Sequence, residues 1–304
     1  MRGEQLAARR ARCSRLASPQ AAVVLGVLVL VLLIAEPPLA LLARQSVNAG
    51  NVSVPVWFSA AFGIAGFVVA LRKPRNPLGW VILAVAGLWV LSEDASFYVV
   101  AVYRLRHGGL PFGWVALLAQ PGWAAAIVLT GLVVLLFPDG RLPAPGWRRL
   151  LRAYLGLAAV WALGTAVVTV GAIAGHRIAV DSGGNLLLGH PRGFAGLWAS
   201  VSVLFFPLMA LGWVAAVTAQ ALSWRQASSE RRHQLNWLLA GAVVAAACLA
   251  IGTGHLFGHS EIGRVAADVV SAGILAIPAC LGVAILRYQM GEGPADPALI
   301  NSHE

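Results

Sequence analysis

Two long apolar runs are separated at Leu135 to Leu150 by the stretch Leu-Leu-Phe-Pro-Asp-Gly-Arg-Leu-Pro-Ala-Pro-Gly-Trp-Arg-Arg-Leu. The first run ends at Pro138, and Asp139 with Gly140 forms a polar turn of the Pro-Asp-Gly kind. Four arginines follow this turn before or within the start of the second run: Arg141, Arg148, Arg149 and Arg152. A short basic loop between two hydrophobic spans is predicted to be cytoplasmic by the positive-inside rule, and it sets the orientation of every other span.

The composition predicts an integral membrane protein. Hydrophobic residues make up 59% of the 304 positions and charged residues 11%, against roughly 45–50% and about 25% in soluble domains. The net charge of +10 does not indicate nucleic-acid binding, because the basic residues are spread between apolar runs instead of lining one face. We therefore interpret them as topology signals and as contacts with anionic lipid headgroups, and exclude nucleic acid as a partner.

Eight apolar runs predict an all-α, polytopic bundle of about eight transmembrane helices, because lipid-exposed backbone must satisfy its hydrogen bonds within each helix. The runs cover about residues 21–43, 55–71, 77–103, 112–137, 150–174, 196–222, 234–252 and 266–286. With this layout, sixteen of the 22 Lys and Arg residues fall on one side. That side is predicted to be the cytoplasm, so both termini are expected there and the protein is expected in the cell membrane.

The predicted organisation has three parts: a basic cytoplasmic segment over residues 1–20, the eight-helix domain over 21–287 and a short cytoplasmic tail over 288–304. The basic start followed by an apolar run also fits a cleaved signal peptide in place of the first span. Either alternative leaves the later topology unchanged.

Glu93 and Asp94 are the candidate polar site within the membrane. Ionisable residues at membrane depth suggest function, here a proton or cation site. The pair lies about 15 residues from the inner end of the third run, or roughly 23 Å at 1.5 Å per residue, near the outer boundary of a core about 30 Å thick. A structural or solvated role is therefore the favoured alternative, and Glu36 and Asp268 are interpreted in the same way.

Other candidate residues lie in loops and at possible kinks. His255 and His259 stand four apart near Glu261 and would form a metal or pH-sensing site on a helix. Nearby glycines disfavour that helix, so we expect a solvated loop and predict no metal or cofactor. Prolines within three predicted spans are possible hinges or static kinks: Pro121, Pro207 and Pro278. The basic residues expected to contact anionic lipid or a cytoplasmic partner are Arg72, Lys73, Arg75, Arg141, Arg148, Arg149, Arg231 and Arg232.

No enzyme motif is found among the nucleophile-elbow, zinc-protease, P-loop and Rossmann patterns, so no catalytic residue is predicted. Four stretches, in order, resemble the N-terminal membrane region of sensor histidine kinases from actinobacteria: Pro74 to Trp80, Leu136 to Pro143, Glu230 to Trp237 and Ile285 to Tyr288. The resemblance covers about residues 20 to 290 and implies an input module for a two-component system.

In that family the membrane region is followed by phosphoacceptor and ATP-binding domains. Only 16 residues follow Tyr288 here, so kinase activity is not expected to carry over from the resemblance. The resemblance instead implies a sensor-like or regulatory membrane module. Its expected partners are the lipid bilayer, a separate kinase or response regulator, and a second copy of the chain. The alternative function is a transporter or channel for a small solute.

Overall fold

A computed structural model describes residues 18–44, 53–107, 109–137, 140–142, 146–187 and 192–225, together with residues 232, 235–237, 239–241 and 280. These residues form helices and connecting loops without a β-strand; Val180 and Leu186 make an isolated β-bridge. The chain divides into two compact units, Met1–Ala221 and Leu222–Glu304. The predicted all-α fold is confirmed.

Helices α1 and α2 are Pro19–Leu42 and Ser53–Arg72, and α3 is Pro77–Val99, extended by a π-helical turn at Val100–Leu105. A 3₁₀ turn at Gly113–Val115 precedes α4, Ala116–Leu136. Helix α5 is Trp147–Ala174, α6 is Phe194–Ser202 and α7 is Phe205–Arg225.

Within the described residues, five helical segments are long and apolar enough to cross a membrane: Pro19–Leu42, Pro77–Leu105, Gly113–Leu136, Trp147–Ala174 and Pro207–Trp224. The apolar part of α2, Val56–Arg72, is shorter. The runs over residues 234–252 and 266–286 lie almost entirely outside the described residues. Helices long and apolar enough to cross a membrane are therefore confirmed within the described residues, whereas a total of eight stays a prediction.

Helix α3 is the central helix of the first unit and packs against α1, α2 and α4. In contrast, α1 and α5 expose large apolar side chains over most of their surface, including Val24, Ile34 and Leu163, each about two-thirds exposed. Patches of this extent on a water-soluble protein would favour aggregation. They are the surface expected where lipid chains replace water.

Glycines let α2 and α3 approach closely. A Cβ at Gly66 would lie 2.5 Å from the Leu83 backbone nitrogen, and one at Gly79 would lie 2.6 Å from the backbone nitrogen of Ala70. Because backbone atoms are the neighbours, no side-chain movement would relieve either contact. Small residues therefore set the spacing of these two helices, as they do in many membrane proteins.

Gln220 of α7 closes the C-terminal end of α4, where the stretch from Leu135 begins. Its buried side-chain amide donates to the carbonyls of Val134, Leu135 and Phe137 at 2.8, 3.0 and 2.9 Å. The intervening Leu136 carbonyl accepts from Gly140 N at 2.8 Å. The last carbonyls of a helix have no partner within it, and one glutamine satisfies several of them here.

The predicted sixth span, residues 196–222, is wrong as a single helix, because Val203 and Leu204 separate α6 from α7. Pro207 explains the break, since it has no N–H to donate to the carbonyl of Val203 and its ring clashes with that carbonyl. Pro121 does not interrupt α4, which is continuous across it. Pro278 lies outside the described residues.

We predict that Gly66→Ala lowers the thermal stability of the purified protein in detergent. The added methyl group overpacks the α2–α3 contact, which typically costs about 1–3 kcal/mol. The matched control is Gly156→Ala in α5, where a Cβ would meet nothing within 4 Å and where a gain of about 0.5–1 kcal/mol is expected. Equal effects of the two substitutions on the unfolding midpoint would contradict the close approach.

We predict that Gln220→Leu destabilises the protein by about 2–4 kcal/mol, because each buried carbonyl left without a donor costs about 1–3 kcal/mol. Thr218→Val on the same helix is the control, since its exposed hydroxyl bonds only to Val214 O of α7. Denaturant titration followed by circular dichroism measures both. A Gln220→Leu protein as stable as the control would show that the amide does not support α4.

Candidate functional site

Contacts at Val29 set the register of the first three helices. The side chain of Val29 in α1 lies 3.3 Å from the point where a Cβ on Gly63 of α2 would be, and 3.5 Å from the point where a Cβ on Gly87 of α3 would be. Helices α1 and α3 run in the same direction from this level. Seven residues further along each helix, or about 10 Å, are Glu36 and Asp94.

Glu36 and Asp94 are buried together with a third carboxyl group nearby. Only 1% of Glu36 and 5% of Asp94 is exposed, and Glu93 is half-buried. Glu36 lies within electrostatic range of both Asp94 and Glu93. We call these three residues the acidic cluster. Of the structural or solvated role that was predicted for Glu36 and Asp94, the solvated alternative does not fit, because the packing of α1 on α3 removes both from solvent. The structural alternative stays a prediction.

Several polar atoms in this region have no hydrogen-bond partner within the described residues. They are both carboxylate oxygens of Glu36 and of Asp94, the hydroxyl of Ser59 and the indole nitrogen of Trp89. Ser59 is one helical turn from Gly63 on α2, and the ring of Trp89 lies 5.1 Å from that of Phe58. Buried polar groups are normally paired, so this concentration of unpaired atoms marks a site.

No basic side chain of α1 to α4 lies near the acidic cluster to balance its charge. Within α1 to α4 as bounded above the only basic residue is Arg72, which is at the opposite end of α2. Arg104, in the π-helical turn that extends α3, acts on Asp181 of the loop after α5. Helix α4 contains no ionisable residue, and the Tyr98 hydroxyl of α3 is occupied as a donor to Pro111 O at 2.6 Å. An unpaired buried carboxylate costs on the order of several kcal/mol, so the cluster favours uptake of a positive charge.

Two prolines follow Glu36 directly. Pro37 and Pro38 lie inside α1 and have no N–H, so the carbonyls of Leu33 and Ile34 lose their usual donors within the helix. The backbone hydrogen bonding of α1 is therefore weakened beside the Glu36 carboxyl group. Such a position is where a helix bends with least cost.

The loop after α5 covers α3 one turn beyond Asp94. Gly184, with a φ of +80°, lies so close to Ser96 that a Cβ would be 2.8 Å from the Ser96 carbonyl oxygen. Val180 of the same loop packs into a buried apolar group with Ala95, Val99, Ala116 and Ala119. This covering explains why a depth near the predicted membrane boundary does not expose Asp94.

Asp181 organises that loop. Its carboxylate accepts from Gly183 N and Asn185 N, both at 2.8 Å, and from the Asn185 side-chain amide at 2.9 Å. Burial acts to raise the pKa of Asp181, but these hydrogen bonds and the positive charge of Arg104 outweigh it and hold the pKa below its ordinary value. The loop is therefore held by an ionised carboxylate at neutral pH.

The predicted basic residues are distributed over three regions within the described residues. Arg72, Lys73, Arg75 and Arg141 line one pocket, while Arg148 and Arg149 are exposed at the start of α5. In the second unit, Arg232 lies over the ring of Trp224, 5.3 Å from its centroid. Arg231 and the candidate metal group His255, His259 and Glu261 lie outside the described residues, as does Asp268.

A metal ion is not indicated at the acidic cluster. Among the residues that the structure describes, no three His, Cys, Asp or Glu side chains are grouped so as to hold one. A proton requires only one carboxyl oxygen, whereas a metal ion requires several convergent ligands. Proton exchange, which needs one carboxyl group, is compatible with the burial of Glu36 and Asp94.

We predict that Glu36→Gln and Asp94→Asn each raise the thermal midpoint at alkaline pH, because each removes one of two neighbouring buried negative charges. The double variant should gain less than the sum, with a coupling of about 0.5–3 kcal/mol. Asp181→Asn is the control and should give no gain, since its carboxylate is fully hydrogen-bonded. Additive losses from the two substitutions would show that the carboxyl groups are separate and partnered.

Comparison with known proteins found no matching protein-family model, curated protein or solved structure.

Proposed function

We propose that the chain is a membrane-embedded, sensor-like or regulatory module, similar to the input region of a two-component sensor histidine kinase. In this proposal it has eight spans in the cell membrane with both termini in the cytoplasm. The observation that carries the proposal is the burial of Glu36 and Asp94 together, without a paired cation among the described residues. Ionisable groups placed at such a cost mark functional sites in membrane helices.

The proposed stimulus is a change in proton occupancy of the acidic cluster. The negative charges of Glu36 and Asp94 lie within electrostatic range of each other, and burial strengthens their repulsion because the local dielectric constant is lower than that of water. Addition of one proton to Glu36 or Asp94 removes that repulsion. Protonation then shifts the population towards the conformation in which the two carboxyl groups lie closer, by about tenfold for each 1.4 kcal/mol by which the repulsion differs between the two conformations.

The response would involve α1 moving relative to α3. Helix α1 carries the proline pair beside Glu36, whereas α3 is held on its other sides by α2 and α4. The hydroxyl of Ser92, for example, donates to Ala119 O of α4 at 2.6 Å. We therefore propose that the part of α1 from Glu36 onwards moves, while α3 stays in place.

The proposed output is a cytoplasmic contact with a separate kinase or response regulator, in keeping with the family resemblance. The alternative function, a transporter or channel for a small solute, draws on the same acidic cluster as a proton-coupling site. A transporter also needs polar groups for its solute near the middle of the membrane. Both Glu36 and Asp94 are instead about 25 Å along their helices from Pro19 and Pro77.

The full chain can be tested in a membrane-based two-hybrid assay against kinases and response regulators, at acidic and alkaline external pH. We expect a partner whose binding changes with pH, and a Glu36→Gln variant that binds it without the pH dependence. Thr218→Val should behave like the unchanged chain. Solute-dependent flux in proteoliposomes, with no regulatory partner found, would contradict the sensor function and favour the transporter.

A further inference from the structure

The loop between α2 and α3 and the loop between α4 and α5 meet at a pocket of about 560 Å³. Residues 72–77 line it from the first loop, and Gly140 and Arg141 line it from the second. The volume lies within the range of about 300–1,000 Å³ that is usual for small-molecule sites. These two loops also contain two of the four stretches that carry the family resemblance, which assigned them no chemical role.

The described residues that line this pocket include four basic side chains and no acidic one: Arg72, Lys73, Arg75 and Arg141. The three arginines are exposed, so their guanidinium groups are accessible to a ligand. Guanidinium groups bind phosphate oxygens with paired hydrogen bonds. Asp139, next to Gly140 in the sequence, lies outside the described residues.

The first loop is held in a defined shape. Asn76 caps α3 by accepting from Leu78 N at 2.9 Å, and the indole of Trp80 donates to Pro74 O at 2.8 Å. The backbone of Asn76 also donates to Lys73 O at 2.8 Å. Ordering of the loop before binding reduces the entropy cost of ligand capture. The N-terminus of α3 adds a partial positive charge at the same place.

We propose that this pocket binds a phosphate group, carried either by an anionic phospholipid or by a soluble phosphate. Arg72 and Arg75 from one loop and Arg141 from the other converge on the bound group. The pocket lies at the ends of membrane helices, where lipid headgroups are found, and lipid is therefore the source most directly within reach.

The charge test uses the full chain in nanodiscs, with native mass spectrometry of bound phosphatidylglycerol. Replacement of Arg72, Arg75 and Arg141 by glutamine should weaken binding on the order of 100-fold, at about fivefold per charge. The control removes the same number of charges from α5 through Arg148→Gln, Arg149→Gln and Arg152→Gln. Retained saturable binding in the control supports the pocket; equal losses in both would indicate diffuse attraction and overturn it.

A second variant tests the geometry without a change of charge. Gly140 has a φ of +70°, and a Cβ there would collide with the side chain of Asn76 and with Pro77. Gly140→Ala should therefore separate the two loops and reduce binding at least tenfold. Gly146→Ala is the matched control, because its Cβ meets nothing within 4 Å and its φ is −60°. Unchanged binding in Gly140→Ala would overturn the two-loop site.

The source of the phosphate is separated by a third comparison. Inorganic phosphate is titrated into the protein in nanodiscs of neutral phosphatidylcholine, and phosphatidylglycerol is titrated in parallel. Saturable binding of phosphatidylglycerol alone assigns a lipid site, and saturable binding of inorganic phosphate assigns a soluble ligand. If neither ligand binds saturably to the folded, monodisperse protein, the proposal is wrong.

Discussion

Glu36 and Asp94 are buried where α1 packs on α3, and no basic side chain among the described residues pairs with them. The free-energy cost of these two buried charges constrains much of the first unit. The two side chains meet because α1 and α3 run in the same direction from the level of Val29. Each unpaired carboxylate costs on the order of several kcal/mol, so the surrounding packing must offset it. The glycine contacts between α2 and α3 and the covering of α3 by Val180 contribute to that packing.

Helix α3 joins the two polar regions of the molecule. It begins beside the basic pocket, where Asn76 caps it, and carries Asp94 about 25 Å further along. Because it is buried against three neighbours, it is suited to connect the two places without deforming. The proposed proton site and the proposed phosphate site thus lie at opposite ends of one helix. Energetic coupling between the two sites requires that both bias the same pair of conformations.

Sequence patterns predicted most of the described helices but carried no prediction of which helices pack against each other. Uninterrupted apolar runs identify helices because the bilayer leaves the backbone few other ways to satisfy its hydrogen bonds. Pro207 was recognised as an interruption, but its strength was underestimated: the helix ends instead of bending. The positions of Glu36 and Asp94 along their helices also follow from residue counts. Their meeting does not, because position along a helix does not identify which helices are adjacent.

Long-range hydrogen bonds show the same limit. Gln220 donates to the end of α4 from a position more than 80 residues later. In the sequence it looks like any other glutamine in an apolar helix, so this contact could not be predicted. The loop around Asp181 contains glycine and asparagine typical of turns, yet its folding onto α3 depends on Gly184 approaching Ser96. The basic pocket likewise arises from two loops that are over 60 residues apart. Local patterns predicted each loop, and only the fold combines them.

The shared acidic cluster is tested most directly by infrared difference spectroscopy of the full chain in lipid bilayers during a change of pH. The account predicts a carboxyl C=O signal from groups shielded from water, and Glu36→Gln should both reduce this signal and change the pH dependence of what remains. That result requires the protonation of Glu36 and the protonation of Asp94 to be electrostatically coupled. A remaining Asp94 signal with unchanged pH dependence, or carboxyl bands typical of water-exposed groups, would contradict it.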